Sequence, residues 1–252
     1  MRNFNDAIIL VTGAASGIGA ATATSLAANG AKKLILADLD EGSLADFAFS
    51  LPCERQLLIG DVADERLWSN ADLTGLTHAV VNAGIGAGGT IEEMHFEEWR
   101  RVQSANLDGA FLSLQAAMRS IRANGGNGAI VLTASVSGIK AEPGTAAYGS
   151  SKAGVIQLAR IAAREGASAR IRVNSIAPGG VETPIWNTVP FFTDLVAETG
   201  SEEAAYRAMS ANAPLGRFAK PAEIAGQILF LLSEDARFIT GTCLVSDGGY
   251  SL

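Results

Sequence analysis

Ala7-Ile8-Ile9-Leu10-Val11-Thr12-Gly13-Ala14-Ala15-Ser16-Gly17-Ile18-Gly19 decides the reading of the whole chain. An apolar run of strand length enters a turn with glycine at 13, 17 and 19, and a helical pattern opens near Ile18 and continues to residue 29. Glycines let a backbone turn sharply and approach a pyrophosphate, and the first N–H groups of the helix add donors and a partial positive charge. The spacing is Gly-x-x-x-Gly-x-Gly and departs from the commoner Gly-x-Gly-x-x-Gly. Gly13, Ser16, Gly17, Ile18 and Gly19 are therefore expected to hold a dinucleotide phosphate.

The same rhythm repeats outward. Residues 33–37, 55–59, 77–81, 129–132, 170–176 and 242–245 read as further strands. Residues 41–49, 64–70, 97–123, 146–164 and 221–232 read as helices. Strands apolar on consecutive residues are buried on both faces, as in a parallel sheet. Strand-helix alternation then implies a Rossmann-type α/β fold: a doubly wound, parallel, seven-stranded sheet with helices on both faces. No composition shift divides the chain, so 1–252 reads as one dinucleotide-binding domain. The segment at about 183–215 breaks the rhythm and reads as a functional loop or lid.

Asp38 ends the second strand, nineteen residues after Gly19. A carboxylate there accepts from ribose hydroxyls and repels a 2′-phosphate. The neighbouring positions, Ser16 and Leu39, carry no cation, so NAD is expected over NADP. Asp61-Val62 and Asn82-Ala83-Gly84 follow the third and fourth strands, at carboxyl ends where open α/β sheets bind ligands. Asp61 can accept from an adenine amino group while Val62 covers the ring. Asn82 can equally tie neighbouring strands together.

Tyr148 and Lys152 stand four apart in a helical pattern, on one face. A phenol beside an ammonium makes an acid/base pair, and the cation is expected to lower the phenol pKa toward working pH. Ser135 lies thirteen residues before Tyr148, just past the apolar run 129–132.

Bulk properties narrow the classes. The chain has 252 residues, 48% hydrophobic and 18% charged, enough for one thick core. A net charge of -7 argues against nucleic-acid binding. Cys53 and Cys243 fit no metal-ligand spacing, and reduced, buried thiols are the expectation. Met1 to Asp6 is polar, no run is long enough to span a bilayer, and a cytoplasmic protein with no membrane partner and no metal is expected. His78 and His95 lie apart from the motifs and read as ordinary fold positions.

From residue 7 to 249 the chain resembles the short-chain dehydrogenases/reductases of single-domain type. The resemblance rests on Thr12-Gly13-x-x-x-Gly17-x-Gly19, Asp61-Val62, Asn82-Ala83-Gly84, Asn106, Ser135, Tyr148-x-x-x-Lys152 and Pro178-Gly179 in that order. Val81 stands where the family often has a second Asn. The resemblance implies that Tyr148 exchanges a proton with the substrate oxygen. It implies that Lys152 lowers the tyrosine pKa and binds the nicotinamide ribose, and that Ser135 hydrogen-bonds the reacting oxygen. Asn106 would hold a water linking Lys152 to solvent, although by itself a mid-helix Asn reads as solvent-facing. Pro178, Gly179, Val181 and Thr183 would lie along the nicotinamide.

The expected activity is NAD-dependent interconversion of a secondary alcohol and a ketone. An NADPH-dependent 3-ketoacyl reductase and a non-catalytic dinucleotide sensor stand as alternatives. Trp186, Phe191, Phe192 and Met209 suggest an apolar or cyclic substrate, or else pack the lid. With Ser135 and Tyr148, Val136, Trp186 and Phe191 are taken as substrate contacts. Ile139 and Glu142 are further candidates whose direction the sequence does not fix. Small and apolar residues stand at 105, 109, 110, 153 and 154 and in the stretch 238–249; the resemblance implies pairing through such surfaces, and a homotetramer, or else a dimer, is expected.

Overall fold

The computed structural model describes residues 3–252, with every side chain among them except those of Pro190 and Asn212; Met1 and Arg2, the start of the polar lead-in, lie outside the described residues. Seven strands form one sheet: β1 (Ile8–Thr12), β2 (Lys33–Asp38), β3 (Glu54–Ile59), β4 (His78–Val81), β5 (Gly128–Thr133), β6 (Ile171–Pro178) and β7 (Cys243–Ser246). Their spatial order is β3-β2-β1-β4-β5-β6-β7 and every pairing is parallel. The order reverses between β1 and β4, which leaves a crevice at their carboxyl ends.

The helices are α1 (Gly17–Ala28), α2 (Glu41–Phe49), α3 (Glu65–Asn70), α4 (Phe96–Gln103), α5 (Gly109–Ala123), α6 (Ala146–Gly166), α7 (Pro190–Thr199), α8 (Glu202–Met209) and α9 (Pro221–Leu232). Side chains alternate across the central strands. Ile9 and Val11 pack with Leu26, Leu44 and Ile228, from α1, α2 and α9. Leu10 packs on the other face with Leu114 and Ala117 of α5 and Val155 and Ala159 of α6. Both faces of β1 are thus sealed, as its unbroken apolar run requires.

Four expectations change. The sheet's edge strand β3 is only half covered, with Leu57 and Ile59 exposed, because among the described residues it is the last strand on that side of the sheet. The single helix expected over 97–123 is α4 and α5 joined by a π-helical turn, Ser104–Asp108. Asn106 sits in that turn and is fully buried, which overturns the solvent-facing reading. The wider turn carries one more residue per hydrogen-bonded ring and re-aims the side chains within it. Finally, the 183–215 segment is largely helical: a 3-10 turn at Pro184–Thr188, then α7 and α8. Cys53 and Cys243 are free and half-buried, and burial pushes the Cys53 thiol up.

Candidate active site

A cleft of about 860 Å³ runs along the carboxyl edge of the sheet. At one end is the glycine turn. Gly13 and Gly17 have φ of +63° and +54°, a region that favours glycine. A Cβ on Gly13 would stand 2.9 Å from the Ala83 Cα, and one on Gly17 would stand 3.2 Å from the Thr183 methyl. Both glycines line the cleft and let neighbouring segments close against the turn. Ser16 caps α1 without using its side chain, so the N–H groups of the first helical turn keep their donor capacity. Gly19 lies behind this surface: its own Cβ would fall 1.9 Å from the Gly13 carbonyl oxygen. It is a packing residue beneath the turn and does not line the cleft.

Asp38 closes the adjoining wall. Its Oδ2 accepts from the Ala15 N–H at 2.9 Å and its Oδ1 from the Asp40 N–H at 3.2 Å. Both oxygens are oriented by the turn itself. Leu39, 71% exposed, Asp61 and Val62 line the same end. Asp61 accepts from the Ala63 N–H, and the Val62 carbonyl accepts from the Trp68 indole. Asn82 donates to the carbonyls of Thr12 and Gly13 at 3.2 and 3.3 Å, so it ties β4 to β1. Thr12, whose role the sequence did not suggest, accepts from the N–H groups of both Asn82 and Ala83.

At the other end Ser135, Val136, Tyr148, Lys152, Pro178, Gly179, Val181, Thr183, Trp186 and Phe191 all line the cleft. Ser135 follows β5 and caps a 3-10 turn, accepting from the Ser137 N–H. Tyr148 and Lys152 lie one turn apart on α6. The Lys152 ammonium donates to the Thr133 carbonyl at 3.0 Å and lies 5.7 Å from the centroid of the Tyr148 ring. The Thr133 hydroxyl, buried beside it, has no hydrogen-bond partner in the described residues. Asn106 is braced behind them. Its oxygen accepts from the Ile85 N–H at 2.8 Å, and its amide donates to the Ile85 carbonyl and the Ser151 hydroxyl. A Cβ on Gly84 would come within 3.0 Å of Asn106 Oδ1 and 3.2 Å of Lys152 Nζ, so that glycine lets the two approach.

The electrostatics correct one expectation. The Tyr148 pKa is raised, not lowered: burial disfavours the phenolate, and the hydrogen bond with Ser135 opposes burial only in part. The same desolvation pulls Lys152 down to about 8. Both shifts disfavour charge in the protein alone. The lysine cation, hydrogen-bonded to Thr133, does not reverse the effect on the phenol.

The aromatic residues of the 183–215 segment divide between the two roles expected of them. Phe192 is buried and stacks on Tyr206 at 4.9 Å, with Phe218 and Trp186 around it. Trp186 donates to the Val181 carbonyl at 2.8 Å and also lines the cleft, as do Met209 and the exposed Phe191. Glu142, a candidate from the sequence, lines the cleft, whereas the sequence did not single out Asp247, Tyr250, Arg217 or Pro143.

The residues fit a dinucleotide: glycine backbone, free helical N–H groups and an oriented carboxylate lie on one continuous cleft. Comparison with known proteins agrees. A family model described as enoyl-(acyl carrier protein) reductase matches residues 13–251. The cis-4-hydroxycyclohexanecarboxylate dehydrogenase of Sinomonas cyclohexanicum is 36% identical, covering 98% of each chain. The 3-oxoacyl-(acyl-carrier-protein) reductase of Thermotoga maritima is 37% identical, covering 96% of each. The crystal structure of levodione reductase superposes with a TM-score of 0.89 at 33% identity, covering 99% of each chain. Fold and site thus define an oxidoreductase that uses a nicotinamide dinucleotide. More particularly, the chain belongs to the short-chain dehydrogenase/reductase family.

Proposed function

We propose that this protein is an NAD-dependent dehydrogenase/ketone reductase that interconverts a secondary alcohol and its ketone on an apolar or cyclic small molecule. The observation that carries this reading is the convergence of Ser135, Tyr148 and Lys152 on the cleft that begins at the glycine turn. The dinucleotide, when bound, supplies the hydride acceptor or donor. Tyr148 exchanges the proton with the substrate oxygen, as donor in reduction and acceptor in oxidation. Ser135, within hydrogen-bond reach of Tyr148, holds the same substrate oxygen. Lys152 binds the nicotinamide ribose, and Asn106 positions a water link to solvent with its remaining acceptor capacity. Pro178, Gly179, Val181 and Thr183 flank the nicotinamide.

The choice of NAD rests on Asp38. Its carboxylate is held at the cleft by two backbone N–H groups, and a 2′-phosphate brought beside it meets like charge. Ser16 and Leu39 offer no cation. A cyclic substrate is supported by Trp186, Phe191 and Met209 on the cleft and by the Sinomonas relative, whose name carries a cyclohexane ring. The Thermotoga relative favours a second reading, an NADPH-dependent 3-ketoacyl reductase. We take residues 1–252 to act as one dinucleotide-binding domain with a lid at about 183–215, in a cytoplasmic homotetramer. Exposed Phe111 and Ile161 on α5 and α6, and Phe238 and Leu252 near the chain end, supply apolar surface for such contacts.

A panel of cyclic and linear alcohols and ketones, assayed with both cofactors, tests the reading. The expected result is a higher kcat/KM with NAD and with ring substrates. Tyr148→Phe is expected to lose several orders of magnitude in turnover while still binding NAD. Preference for NADP with acyl thioesters selects the second reading, and retained activity in Tyr148→Phe overturns both.

A further inference from the structure

The chain's last turn and the loop after Ser135 close on each other at the cleft. Lys140 lies five residues beyond Ser135, and its Nζ donates to the Tyr250 carbonyl at 3.1 Å. The same ammonium sits 4.0 Å from the centroid of the Tyr250 ring, a cation–π distance. It also pairs with Glu142 at 3.2 Å, and burial together with the nearby Glu142 carboxylate pushes the Tyr250 phenol pKa up. Tyr250 is thus gripped at its backbone and its ring face by Lys140, which Glu142 of the same loop holds in turn.

The tail that carries Tyr250 is shaped to reach this grip. Asp247 accepts from the N–H groups of Gly249 and Ser251 at 2.9 and 2.8 Å. It lies so close to the end of β6 that a Cβ on Gly179 would stand 2.8 Å from its Cα. The Gly248 carbonyl accepts from the Leu215 N–H at the far end of the 183–215 segment. The tail is wedged between the end of β6 and the lid, and Glu142, Asp247 and Tyr250 all line the cleft. An aromatic ring held at a cavity wall by a cation on its face and a hydrogen bond at its backbone is a ring whose position matters.

We propose that Tyr250 is a specificity-determining wall of the substrate pocket, and that the Lys140–Glu142 pair holds it there and so limits the size of ring the pocket admits. This rests on the proposed ketone/alcohol activity for its choice of ligand, but it is read by binding. A rigid wall discriminates steeply: one methylene more or less in an apolar pocket changes recognition by about 10–200-fold. Removing the phenol ring removes the limit. Loosening the clasp relaxes it in part.

The test measures Kd for cyclohexanone and for the bicyclic ketone 2-decalone by calorimetry, with the oxidised dinucleotide present so that no reduction occurs. Wild type, Tyr250→Ala, Tyr250→Phe and Lys140→Met are compared, with melting curves to confirm folding. Wild type is expected to favour the single ring. Tyr250→Ala should shift the ratio of the two Kd values toward the bicyclic ketone by about tenfold or more. Lys140→Met should move the ratio the same way by less, and Tyr250→Phe, which keeps the ring, least. An unchanged ratio in folded Tyr250→Ala and Lys140→Met overturns the proposal, as does wild type binding neither ketone. Binding with the expected shifts but no turnover with either cofactor upholds the wall and refutes the activity alone.

Discussion

His78 should set the acid limit of this protein's stability. It opens β4, with its Nδ1 2.8 Å from the Thr77 hydroxyl and its ring edge-on to Phe4 at 5.8 Å. Burial, aided by the positive charge of Arg172, lowers its pKa from 6.5 to about 4. The folded protein then keeps the imidazole neutral where the unfolded chain binds a proton. Between about pH 6.5 and 4 the unfolded state holds more protons, so stability is lost as pH falls through that window and levels off below it. At about 1.4 kcal/mol per pH unit this amounts to at most about 3 kcal/mol. Urea unfolding of wild type and His78→Gln at pH 7.5 and 4.5 isolates the effect. Carboxylates held low, such as Asp64 and Glu223, are present in both proteins and cancel. Wild type should lose about 2–3 kcal/mol more than the variant over that interval. Equal losses would refute the reasoning.

Three further outcomes follow from named contacts. Gly19→Ala gains about 1 kcal/mol of helix propensity, but its methyl would overlap the Gly13 carbonyl. The net effect is a displaced α1, a lower Tm and lost dinucleotide binding by fluorescence titration; wild-type affinity would contradict this. Arg172 donates to the carbonyls of Leu231, Leu232 and Ser233 and so caps α9. Arg172→Met should lose about 2–4 kcal/mol in denaturant unfolding, and a loss under 0.5 kcal/mol, the size of an ordinary surface change, would count against that role. Because burial holds Tyr148 protonated, alcohol oxidation should climb toward alkaline pH while ketone reduction holds near neutrality. An oxidation profile flat from about pH 7 to 10 would break the link between phenol ionisation and rate.

Sequence by itself determined the sheet and most of the cleft. Local signals suffice there: apolar runs at strand length set buried parallel strands, and the glycines at 13 and 17 are required by backbone geometry within a few residues of one another. Tyr148, Lys152, Ser135 and Asp38 were legible because short spacings place them on one helix face or at strand ends. Tertiary structure alone decided where Asn106 points, because a π-helical turn has no strong sequence mark and aims the side chain at Ile85 and Ser151, both remote in sequence. It also decided the sign of the Tyr148 shift, since desolvation depends on everything packed around the phenol and not on the lysine four residues away. Lys140 and Glu142 meet Tyr250 for the same kind of reason. More than a hundred residues separate them along the chain, and only the closing of β6 and β7 at the sheet's far edge brings the tail back over the cleft.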